Sequence, residues 1–92
     1  MLEWYHPRYH MVKGNKLIVA MRRNPRGDWR IEQLKAIADR LGIPYRAPGG
    51  SHVVFAPIGK PILTVPARRP IKPVYIRRFV AMIEGHDEEE RN

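Results

Sequence analysis

His52 follows Gly49, Gly50 and Ser51 and opens the run His52-Val53-Val54-Phe55, so a two-glycine turn hands an imidazole to the first position of a short apolar strand. Histidine changes charge between about pH 5 and 8, which suits it to draw a proton from a weak acid near neutrality. Gly50 and Ser51 carry little bulk and leave backbone N–H groups and space for a ligand beside the ring. The chemistry on offer is acid–base work on a substrate brought to a strand end. The plainer reading is a hairpin turn with a partly exposed histidine, and for this stretch taken alone that reading is the stronger.

Cations form the second set. Arg68, Arg69 and Lys72 flank Pro70 just ahead of Pro73, and Pro73 suits the first position of a helix. Three cations at the positive end of a helix make a phosphate site, the alternative being an exposed basic loop. Arg46, shortly before the two-glycine turn, is a further cation near His52 in the chain. Residues 1–83 hold sixteen Lys and Arg against four acids, a balance of +12, while five of the nine acids fall in the last nine residues. That charge on so small a body makes nucleic acid the leading partner class, with binding that weakens as salt rises.

Other chemistries are excluded or disfavoured. No cysteine is present, which removes disulfides and Cys-containing zinc sites. His6 and His10 have a metal-ligand spacing, but Pro7 between them argues against the helix that would use it. Two-metal nuclease chemistry needs converging carboxylates, and the strands contain none: Glu3, Asp28, Glu32 and Asp39 are scattered outside them. Neither a metal nor another cofactor is expected. The longest apolar run, Leu17 to Met21, is far short of a membrane span, and the N-terminus lacks an apolar signal segment. A reduced, cytoplasmic setting is the expectation.

The elements that must position these residues follow from punctuation and period. Residues 1–12 form an aromatic extension with no clean period. From Asn15 as N-cap, Leu17, Ile18, Ala20 and Met21 give a short helix that Asn24-Pro25 ends. Asp28 reads as the N-cap of a second helix, with Ile31, Leu34, Ile37, Ala38 and Leu41 on one stripe and Gly42 at its C-cap. The period then changes to two. Tyr45 to Ala47, Ser51 to Ala56 and Ile62 to Val65 read as an antiparallel meander, separated by Gly- and Pro-rich turns. Within the second strand Val53 and Phe55 share one face and His52 and Val54 the other, so helices covering the first face leave His52 towards solvent. A last helix starts at Pro73, buries Ile76, Phe79, Val80 and Ile83, and is expected to end at Gly85, before an acidic tail at 86–92.

The result is a single α+β domain over residues 13–85 in the order α-α-β-β-β-α, with a three-stranded antiparallel sheet and helices on one face. This order is close to the plan of double-stranded-RNA-binding domains with an added helix in front. Gly50-Ser51-His52-Val53-Val54-Phe55, then Leu63-Thr64-Val65-Pro66, then Arg69-Pro70-Ile71-Lys72-Pro73-Val74-Tyr75-Ile76, resemble the HicA family of bacterial toxins, small mRNA interferases of type II toxin–antitoxin systems. The similarity spans about Lys16 to Ile83, and three segments in the right order and spacing make it specific. The resemblance implies a ribonuclease with a double-stranded-RNA-binding-like fold, His52 as its catalytic residue, Gly50 and Ser51 shaping the turn, and a HicB-type antitoxin holding it off. The aromatic extension, the acidic tail and the Asn24-Pro25-Arg26-Gly27 break depart from the shortest family members.

The residues agree with that implication. RNA supplies its own nucleophile, the 2′-OH, so cleavage needs a base near neutral pKa, in-line geometry and cations for the developing charge. His52 is the base, and Arg68, Arg69 and Lys72, or Arg46, supply the charge. The general acid is open among Tyr45, Tyr75, a lysine and a water. Two other functions use the same surface: a non-catalytic RNA-binding module, and a regulatory protein whose basic face docks an acidic partner.

Overall fold

Phe55 and Phe79 meet edge to face at the centre of the domain, with ring centroids 5.2 Å apart and planes at 61°. Both side chains are fully buried, one from the sheet and one from the last helix, and burial of this kind contributes about 1.5–3 kcal/mol per side chain. The computed structural model describes the backbone of residues 16–91 and the side chains of residues 16–85. The aromatic segment 1–12, the Asn15 cap and the side chains of the acidic tail lie outside these residues.

Helix α1 occupies residues 16–23, and the bond from Asn24 N to Ala20 O at 2.9 Å is its last turn. It sends Ile18 and Met21 into the core, with Leu17 at the margin. Ala20, assigned to the same stripe by its spacing, is exposed. Helix α2, Ile31–Leu41, buries Ile31, Leu34, Ile37 and Ala38. Gly42 closes it with φ +71, and Ile43 N bonds back to Ala38 O at 2.9 Å, the left-handed cap that glycine adopts without steric cost.

Asp28 does not cap α2. The cap position belongs to Arg30, whose N–H donates to Gln33 Oε1 at 2.9 Å, and Asp28 is turned instead to a partner far along the chain.

The sheet has the order β1-β2-β3, with β1 Tyr45–Arg46, β2 His52–Phe55 and β3 Leu63–Pro66, all antiparallel. Each strand sits within a residue or so of its sequence-based bounds. Pairing sets Tyr45 against Phe55, Arg46 against Val54, and His52 against Pro66. Val53, Phe55 and Val65 face inward, and α1, α2 and α3, with Ile43 and Ile71 from the connections, supply the rest of the core on that one side. The opposite face carries His52, Val54, Thr64 and Arg46.

Helix α3, Pro73–Arg91, buries Ile76, Phe79, Val80 and Ile83 as its period requires. It does not end at Gly85. A glycine inside a helix costs only about 1 kcal/mol relative to alanine, and Glu88, Glu89, Glu90 and Arg91 beyond it are good helix formers. Arg22 and Glu84 form an ion pair that ties α1 to α3. No helix among the described residues is long and apolar enough to cross a membrane.

Candidate active site

The turn before His52 is built from its sequence. Gly50 N donates to Ala47 O at 3.1 Å, with Pro48 and Gly49 as the two central residues and Gly49 at φ +78. Proline followed by a positive-φ glycine is the chemistry of a type II turn. Gly50 itself has φ +80, although a Cβ there would meet nothing within 4 Å, so the backbone and not the space demands glycine. Ala67 N then bonds Ser51 O at 2.9 Å, carrying the β2–β3 ladder one step past His52. The histidine therefore leaves a fixed strand end.

His52 is exposed on the sheet face away from the helices, as alternation requires. Its Nδ1 lies 3.1 Å from Ser51 Oγ, in hydrogen-bond contact. Beside it opens a cavity of about 320 Å³ lined by Ser51, His52, Pro66, Arg68, Ile71, Lys72 and Tyr75. One wall is the end of the β2–β3 hairpin. The other is the connector and the first turn of α3, where Tyr75 N bonds Lys72 O at 3.0 Å. Ile71 N donates to Trp29 O at 3.0 Å and anchors that connector to the loop before α2. The first turn of α3 contains no acid, so its positive end is left to the cations.

The sequence-based site residues divide. Ser51, His52, Arg68 and Lys72 are brought together around the cavity. Gly50 lies behind it and sets the turn. Arg46 shares the exposed sheet face with His52 through its pairing with Val54, but does not line the cavity. Arg69 points elsewhere: its Nη2 donates to Asp28 Oδ2 at 2.9 Å and its Nε approaches Oδ1 at 3.4 Å. That guanidinium, by hydrogen bond and charge, holds the Asp28 carboxyl below its ordinary range. Arg69 also borders a shallow depression with Arg68, Pro70 and Lys72, next to the cavity.

The two tyrosines near the sheet divide in the same way. Tyr45 is on the inner face of the sheet, its ring 5.7 Å from that of Phe55 and its hydroxyl donating to Asp39 Oδ2 at 3.2 Å. That hydrogen bond raises the phenol above its ordinary value. Tyr75 and Lys72, by contrast, both line the cavity. Pro66 and Ile71 were not legible as site residues. Their sequence signal is limited to a place in the Leu63-to-Pro66 and Arg69-to-Ile76 segments close to the cations, and their role comes from the packing of the connector against the hairpin.

Fold and site together define a small α+β protein with a basic cavity at one end of its sheet and a histidine at the cavity's lip. No family model, curated protein or solved structure matches the chain. No group of three or more His, Asp or Glu among the described residues is placed to hold a metal ion.

Proposed function

We propose that the chain is a metal-independent endoribonuclease with a double-stranded-RNA-binding-like fold, the cytoplasmic toxin of a HicA–HicB-type pair. The observation that supports this reading best is the shared cavity of His52, Arg68 and Lys72. In it the imidazole takes the 2′-OH proton of a ribose, and the 2′-oxygen attacks the adjacent phosphorus in line. The bond to the 5′-oxygen breaks, leaving a 2′,3′-cyclic phosphate and a 5′-OH. Arg68 and Lys72 offset the charge that develops on the phosphoryl oxygens. Lys72, Tyr75 or a water returns a proton to the leaving oxygen. An antitoxin with an acidic face would complement the basic connector and cover His52.

The test is incubation of the purified protein with RNA in excess EDTA, followed by analysis of the new ends. Cyclic phosphates support the reading, and His52→Ala, with the side chain already exposed, should fold normally and cut at least about a hundredfold more slowly. Intact RNA with binding retained would identify a non-catalytic RNA-binding module instead.

A further inference from the structure

The catalytic reading uses the polar groups of the cavity beside His52, with the Tyr75 hydroxyl among its candidate proton donors, and leaves the apolar lining unexplained. Pro66, Ile71 and Tyr75 supply the apolar wall of the cavity, with Ile71 only 2% exposed and Tyr75 half-buried on the first turn of α3. Arg68 and Lys72 stand beside that wall. A volume of about 320 Å³ lies at the small end of the roughly 300–1,000 Å³ range of ligand sites. An apolar slot with a cationic rim matches one nucleotide, flat and apolar in its base and anionic in its phosphate.

We infer that this wall is a nucleobase subsite in which Tyr75 stacks on a base next to the reacting phosphate, so that the substrate is single-stranded RNA. The base faces of a duplex are stacked against their neighbours, and only an unpaired strand can turn one into a pocket. Sequence-tolerant stacking on an aromatic ring is the usual way proteins hold such strands. The inference rests on the ribonuclease reading for its choice of polymer, but its test does not depend on cleavage.

The probe is a 2′-O-methyl RNA oligonucleotide of degenerate sequence, which lacks the nucleophile, presented single-stranded or annealed to its complement and followed by fluorescence anisotropy. The single strand should bind at least about tenfold more tightly than the duplex. Tyr75→Ala should weaken the single strand by about 5- to 150-fold and leave duplex binding unchanged, and Tyr75→Phe should restore the loss. Tyr75→Leu keeps apolar volume in the same place and covers the case in which the alanine variant does not fold; it should bind single strands like the alanine variant. Equal binding of the two forms, or single-strand binding that survives both Tyr75→Ala and Tyr75→Leu, overturns the subsite. Failure of RNA cleavage in EDTA removes the nuclease reading and leaves a Tyr75-dependent preference for single strands standing. Cleavage without that preference does the reverse.

Discussion

The hydroxyl of Ser51 sits 3.1 Å from Nδ1 of His52, two neighbours in sequence whose side chains meet across the first step of a strand. When Nδ1 carries the proton and donates to that hydroxyl, Nε2 holds the lone pair that can accept another. The hydroxyl can equally donate to an unprotonated Nδ1, so the contact limits the rotation of an exposed ring without fixing its tautomer.

Ser51→Ala should therefore lower kcat for RNA cleavage by about 2- to 13-fold, the equivalent of one ordinary hydrogen bond, while KM changes little. Steady-state kinetics on a defined oligonucleotide separates the two. A loss confined to KM would mean that Ser51 only contacts the substrate.

Gly50→Ala tests the turn and not the chemistry. With φ at +80 the residue is in a region that costs an L-residue roughly 1–2 kcal/mol. No atom lies within 4 Å of the added Cβ, so the loss should be purely conformational. Thermal denaturation should show a lower midpoint, and the surviving folded protein should cleave more slowly because His52 follows the turn. An unchanged midpoint would show that the turn relaxes freely.

Asp28→Asn should release Arg69 towards phosphates. Single-stranded RNA binding should strengthen, and the dependence of log K on log salt should steepen by about 0.7 for one added phosphate contact. The acid side has a defined sign. Arg69 holds the Asp28 carboxyl below its ordinary value near 3.8, so the pair stabilises the fold above that value and the contribution disappears as pH falls through the lowered one. Denaturation midpoints of wild type and Asp28→Asn should differ by a constant amount from neutrality to about pH 5 and converge in stronger acid.

Tyr45→Phe should leave cleavage unchanged, because the phenol faces the helices and is engaged by Asp39. The same hydrogen bond raises the phenol, so its small contribution is present below the ordinary tyrosine value and lost as pH rises through the raised one. Asp39→Asn should move the absorbance titration of Tyr45 back towards that ordinary value. A tenfold loss of cleavage in Tyr45→Phe would return this residue to the reaction.

Much of the fold was legible because local signals agree with burial. The stripe Ile31, Leu34, Ile37, Ala38 and the stripe Ile76, Phe79, Val80, Ile83 are buried as their spacing demands, and Gly42 closes α2 as a left-handed cap. Where a residue had two uses, the local reading failed. Asp28 looks like a helix cap, yet an arginine forty-one positions on competes for the same carboxylate. Gly85 looks like a stop, yet helix formers on both sides carry α3 through it.

By itself, the sequence determined that His52 turns away from the core, since alternation along β2 leaves it no other face once Val53 and Phe55 are buried. It also determined that cations gather before α3, since Pro70 and Pro73 confine them to a short connector. Only the tertiary structure decided which of those cations meet the histidine. Arg68 and Lys72 line its cavity while Arg69 is drawn to Asp28, and Tyr75 joins them while Tyr45 is turned inward by its pairing with Phe55. The physical reason is that strand parity and helix period are local, repeating along the chain at fixed intervals. Ion-pair choice and strand register depend on groups that come near one another only when the whole chain has packed.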